Sequence, residues 1–240
     1  MIINPYSFGF NPLSLSPALW LAADDIAQSD GTAVATWLDK SGNGRNATQA
    51  IGASQPIVKT GVLNGRNVVR FDGVNDYLRS PSFALGSTPS VFVVAKQTTG
   101  KAGYTRVLGG FPDVYLYCGT DASELIATFY GNGTSWGTVL AQSATTWMGD
   151  FKIVSSINNG TDSQFINGVA STPRLNAMSS FTGEIVVGGG YFSSGAWQTD
   201  QILGGDIAEI IIIPSPLATA DRQRVERYLA AKWLPSITIP

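Results

Sequence analysis

Residues 207–213 constrain this chain more than any other segment. They read Ile-Ala-Glu-Ile-Ile-Ile-Ile, apolar at both parities from Ile210 onward, and Pro214 and Pro216 end the run. Side chains of a strand alternate between two faces, so a strand with one wet face is apolar only at every second position. This strand must be covered on both faces. One cover is encoded directly downstream, where Val225, Tyr228, Leu229, Lys232 and Trp233 recur at helical spacing over residues 220–233, the lysine stem completing the stripe. Thr219 is the expected N-cap, Asp221 complements the helix start and Pro235 stops the far end. The helix is therefore predicted to lie on one face of the 207–213 strand.

The rest of the chain reads as short strands between turns. Strands are expected at residues 18–23, 34–38, 68–71, 77–78, 90–95, 104–108, 113–118, 125–130, 151–157, 164–166 and 185–187. Asp39 to Gly44 is dense in turn formers, Asp72-Gly73 marks a tight turn, and Asn167-Gly168 between Ile166 and Val169 marks a hairpin. No repeat of 20–50 residues is visible, which argues against a propeller or solenoid. With 240 residues, 44% of them hydrophobic, the chain is long enough for one sizeable core. The expected fold is all-β: a two-sheet antiparallel β-sandwich, or jelly roll, with one C-terminal α-helix. Its domain spans residues 18–240 and follows an extended arm, residues 1–17, broken by Pro5, Pro12 and Pro17.

Composition removes several kinds of chemistry. The chain has no histidine, and Cys118 is its one cysteine, so an intrachain disulfide, most zinc sites and the Ser-His-Asp or Cys-His catalytic arrangements are excluded. An oxygen-ligand calcium site survives that test, and no other cofactor is expected. The formal net charge is −2, and the one local concentration of arginines (Arg222, Arg224 and Arg227) is interspersed with Asp221 and Glu226, which speaks against a nucleic-acid partner. The longest purely apolar run, residues 18–23, is far too short for a membrane span, and the first 17 residues lack the basic start and unbroken apolar stretch of a secretory signal. Synthesis in the cytoplasm is the expectation.

Three segments carry a family resemblance. They are Trp20 to Asp24 with Thr36 to Gly44; Asn64 to Leu78, containing Asn64-Gly65-Arg66 and Phe71-Asp72-Gly73; and Gly205 to Ile210 leading into Arg227 to Trp233. Together they resemble the concanavalin A-like, laminin-G-like jelly-roll family of bacterial and bacteriophage proteins. That resemblance implies the sandwich fold. It leaves function open, because the family includes lectins, adhesion modules, glycan hydrolases and structural appendages, so activity must be argued from the site.

Each activity has its own residue requirement. Glycan hydrolases on the fold of the resembled family are similar to one another in carrying acids at alternate positions of one strand, so that two carboxylates flank one bond. None of the four glutamates here (Glu124, Glu184, Glu209 and Glu226) has an acidic neighbour two positions away, and the odd spacing of Asp206 and Glu209 points them to opposite faces of a regular strand. No catalytic residue is assigned. Asp72, Asn75 and Asp76 are the candidate calcium ligands, although the same residues are ordinary turn formers. Trp136, Tyr191 and Trp197, in Gly/Ser/Thr-rich segments, are the candidate glycan platforms, with capping of the core as the alternative. Ile3, Tyr6, Phe8 and Phe10 either wrap their own domain or dock the arm on a neighbouring subunit, and the extended tail from Pro235 onward offers a second segment able to dock on a neighbour. The Asn-X-Thr triplets at Asn46, Asn132 and Asn159 read as incidental.

The fold works mostly outside cells, yet export and disulfide signals are missing. Assembly into a bacteriophage particle in the host cytoplasm reconciles the two. The expected function is therefore a non-enzymatic virion protein: a capsid decoration, head-fibre or tail-associated module, with other virion proteins as partners and homo-oligomer formation open. The alternatives are a lectin-like carbohydrate-binding module of a cell surface and, more remotely, a glycan hydrolase.

Overall fold

A computed structural model of the chain describes residues 9–99, 105–111, 116–120, 125–130, 141–171, 174–175, 180–189, 191–193, 196–198 and 201–240. Two antiparallel sheets face each other. The first runs in the order Val169–Ala170, Thr161–Ile166, Lys152–Asn158, Ser90–Gln97, Gly204–Ile213, Arg66–Asp72 and Ile57–Leu63, with Leu19–Ala22 also paired to Gly204–Ile213. The second runs Ala141–Thr146, Leu125–Tyr130, Leu116–Thr120, Arg106–Phe111, Phe181–Val187, Leu78–Arg79, Ala47–Thr48 and Thr36–Trp37. One α-helix, Thr219–Trp233, follows the last strand of the first sheet.

The doubly apolar strand sits where its pattern requires. Ile207, Ile210 and Ile212 enter the core between the sheets, with Val93, Val69 and Leu21 beside them and Trp37, Leu78, Ile185 and Val187 opposite. Ala208, Ile211 and Ile213 face the other way, onto Val225, Leu229 and Trp233 of the helix. Each of these helix residues is fully buried, and burying a side chain of that kind contributes about 1.5–3 kcal/mol. The molecule is a sandwich with a helix as a third layer.

Three local expectations need correction. The N-cap is Ala218, with no side-chain hydrogen bond, and Thr219 is the first helical residue. The Ser90 hydroxyl accepts the Leu217 N–H at 2.9 Å, which fixes the chain just before the helix and sets where it starts. The second correction concerns Asp206 and Glu209. Ile207 opposes Ala95 but Glu209 opposes Val94, so the register slips by one residue at Ala208. Such a bulge reverses the parity rule, and Asp206 and Glu209 emerge on the same, helix-covered face. The third is a strand without a sequence signal, Ile57–Leu63, joined to Arg66–Asp72 by Asn64-Gly65 with both residues at positive φ. Lys59, Thr60 and Gly61 break its alternation, and its register shifts over the same residues.

The chain ends lie on their own domain where they are described. Phe10 meets Tyr228 edge to face at 6.1 Å and lies under the Arg224 guanidinium, while Ile3, Tyr6 and Phe8 fall outside the described residues. Ile237 and Ile239 pack into the helix-side core, and the Pro240 main-chain oxygen accepts from Gln223 and Arg227 at 3.0 and 2.9 Å. Among the described residues no helix is long and apolar enough to cross a membrane.

Candidate ligand-binding face

Among the described residues no helix lies over the outer face of the second sheet, and its strands put polar groups there by simple alternation. In Leu78–Arg79, Leu78 is fully buried in the core, so Arg79 faces outward. In Phe181–Val187, Phe181, Ile185 and Val187 point inward and leave Thr182 and Glu184 outside. Register then assembles a lateral row: Thr36 opposes Thr48, Thr48 opposes Arg79, Arg79 opposes Val186, and Val186 opposes Gly109. Glu184, one same-face step from Val186, opposes Phe111.

At the centre of this row Arg79 Nε donates to Glu184 Oε2, and the Arg79 guanidinium lies over the Phe111 ring, 5.3 Å from its centroid. The pair borders a shallow depression of about 530 Å³, lined also by Asn46, Thr48, Gln49 and Tyr77. Its floor is fixed by internal bonds. Gln49 Nε2 donates to the Tyr77 carbonyl, Gln49 Oε1 accepts the Ile51 N–H, and the Ser80 hydroxyl accepts the Ile185 N–H. Thr48, by contrast, is exposed. The face thus offers a hydroxyl, a guanidinium, a carboxylate and an aromatic ring on a rigid sheet, the mixture that polyhydroxylated ligands require.

The acids elsewhere have structural partners. Glu209 accepts from Trp20 Nε1 at 2.6 Å, from the Tyr228 hydroxyl at 3.0 Å and from Trp233 Nε1, and it pairs with Lys232 at 2.8 Å. Asp206 takes both Arg70 Nε and Nη2 and lies 3.6 Å from Lys96. Glu226 accepts from Ser155 and Arg222, and burial pushes its carboxyl above the usual range. Asp162, wholly buried between the sheets, accepts from Ser156 and Thr128, and burial raises it to about 6. Cys118 is buried beside it, and burial pushes its thiol pKa upward.

The candidate residues from the sequence scatter. Asp72 and Asp76 do meet: Asp72 Oδ1 accepts the N–H groups of Val74, Asn75 and Asp76, and Asp76 Oδ2 accepts the Asp72 N–H at 2.9 Å. Burial, more than the nearby Asp72 charge, raises Asp76 to about 6. Asn75 contributes its N–H to this loop. Among the described residues no three Asp, Glu, Cys or His side chains converge as a metal site. Tyr191 and Trp197 lie on a two-stranded hairpin, Tyr191–Ser193 with Ala196–Gln198, of which the backbone alone is described, and Trp136 falls outside the described residues. Sequence reasoning missed the Arg79–Glu184 pair. Its one sequence signal was that both residues flank buried apolar positions; a separation of 105 positions hid the contact.

No protein-family model matches the sequence, and no curated protein matches it either. Solved structures do share the fold. Trypanosoma rangeli sialidase, in complex with 2-keto-3-deoxy-D-glycero-D-galacto-2,3-difluoro-nononic acid, aligns over 90% of this chain and 33% of its own, with a TM-score of 0.63 and 13% identity. The botulinum neurotoxin serotype D ligand-binding domain, in complex with N-acetylneuraminic acid, aligns over 90% of this chain and 52% of its own, with a TM-score of 0.59 and 15% identity. A further structure of the serotype D binding domain gives a TM-score of 0.61 at 13% identity, over 53% of its length. The chain therefore spans only a third to a half of these proteins. At such identity the likeness establishes a β-sandwich fold and nothing finer.

Proposed function

We propose that this chain is a non-enzymatic carbohydrate-binding module acting through the open face of its second sheet. The observation that carries the reading is the polar depression beside Arg79, Glu184 and Thr48, on a sheet face over which no helix lies among the described residues. Two further points support it. Glu209 and Asp206, the acids closest to each other in the last strand, are enclosed by structural partners and face no groove. The fold is also shared with proteins solved in complex with sialic acid derivatives.

A glycan array probed with the purified chain tests the proposal. Retention of a defined glycan, lost in Arg79→Ala and Thr48→Ala, is the expected result. Loss in Trp136→Ala or Trp197→Ala with Arg79→Ala unaffected would move the site to the loops, and retention of no glycan would reject a lectin role. Polysaccharide cleavage abolished by Glu209→Gln would overturn the non-enzymatic assignment.

The finer placement, on a bacteriophage virion as a decoration, head-fibre or tail-associated subunit, rests on the family resemblance and on the apolar arm at residues 1–17. Mass spectrometry of purified particles decides it, and absence of the chain from them ends it. Deletion of residues 1–17 should leave a folded domain that no longer incorporates.

A further inference from the structure

We infer that the depression is built for neutral glycans, reading two adjacent hydroxyls with the Arg79–Glu184 pair, and that it discriminates against carboxylated or sulfated sugars. This rests on the carbohydrate-binding reading above and adds the chemical class of ligand.

Hydrogen-bonding capacity selects the ligand. A guanidinium only donates and an ionised carboxylate only accepts, whereas a sugar hydroxyl does both. Two neighbouring hydroxyls can accept from Arg79 and donate to Glu184 at once, and the exposed Thr48 hydroxyl, one strand away and directly opposite Arg79, serves either role. A carboxylate or sulfate brings acceptors alone. It would match Arg79 and leave Glu184 facing a second negative charge.

Charge points the same way. Among the described residues that line the depression, Arg79 is the one cation and Glu184 the one anion, so the site carries no net charge. Arg79 is also held on two sides, by Glu184 at its Nε and by the Phe111 ring against its face. Turning toward an anionic ligand would give up both contacts. Arg45, between the lining residues Gly44 and Asn46, is committed elsewhere: its Nη1 donates to the Ala18 carbonyl at 2.7 Å and its guanidinium stacks 4.0 Å from the Phe83 ring. An anion-reading site needs an uncompensated guanidinium. This one is compensated.

The expectation therefore departs from the fold neighbours solved with sialic acid derivatives. The test is calorimetric titration of the whole chain with a neutral oligosaccharide drawn from array hits and with the same oligosaccharide bearing a terminal sialic acid. Wild type should bind the neutral form about 5-fold more tightly, as expected for one like-charge contact with a partly exposed carboxylate. Glu184→Gln frees the guanidinium from its counter-charge, so the ratio of neutral to sialylated affinity should fall by about the same factor. Thermal melts confirm that each variant is folded. Equal or tighter binding of the sialylated form, abolished by Arg79→Ala, would overturn this inference while leaving the site in place. Binding of neither form, or binding indifferent to Arg79→Ala, would instead overturn the site itself.

Discussion

The outer faces of the two sheets are built from the same alternation and end in opposite states. On the first sheet, outward positions are Ala208, Ile211 and Ile213, the helix closes over them, and the carboxylate of Glu209 is enclosed by Trp20, Trp233, Tyr228 and Lys232. On the second, outward positions include Thr36, Thr48, Arg79 and Glu184, and among the described residues no helix covers them. The lesson concerns carboxylates. A buried acid with a full set of donors holds layers together, while a half-exposed acid beside one arginine stays able to exchange partners with a ligand. Both faces hold a glutamate; its surroundings decide which role it has.

The sharpest attack on this contrast is removal of the enclosed acid. Glu209→Ala leaves three aromatic donors without their acceptor and Lys232 with Asp24 as its remaining carboxylate partner, and breaking a buried pair of this kind costs about 3–5 kcal/mol. A urea midpoint that falls accordingly at constant slope supports the structural role. An unchanged midpoint would dissolve the difference between the two faces.

Asp162 separates both faces from the interior between them. Its folded pKa of about 6 lies above its ordinary 3.8, so its protonated form is favoured in the fold. Its stabilising contribution is complete below about pH 3.8, declines as pH rises toward 6 and is absent above. Asp162→Asn, which stays neutral, should therefore gain stability relative to wild type between pH 4 and 6 and then hold a constant advantage on the order of 1–3 kcal/mol. Denaturation series at pH 4, 5, 6 and 7 measure this, and a difference independent of pH refutes it.

Smaller effects are expected on the open face. Arg79 and Glu184 are 31% and 26% exposed, and pairs of that exposure contribute no more than about 1 kcal/mol. Arg79→Ala should shift the urea midpoint slightly while removing glycan retention. A stability loss comparable to that of Glu209→Ala would show that the pair holds the sheet together. The smallest readout is chemical. Cys118 is buried and burial disfavours its thiolate, so a thiol reagent should label it only after unfolding. Rapid labelling of the native protein would mean that the pairing of Leu116–Thr120 with its two neighbouring strands opens.

Local patterns determined the layers. The two-parity apolar run at residues 207–213, the 3.6-residue stripe that follows it and the Asn167-Gly168 turn each carry their meaning within a few positions, because strand and helix periodicity are properties of neighbouring residues. Tertiary structure alone decided where chemistry collects. The slip at Ala208 turned Asp206 and Glu209 onto one face, and strand order brought Arg79 to Glu184 and Trp20 to Glu209, 105 and 189 residues away. Periodicity tells a residue which side of its own strand it occupies. Which strand lies next to it, and in which register, is settled by the packing of the whole core.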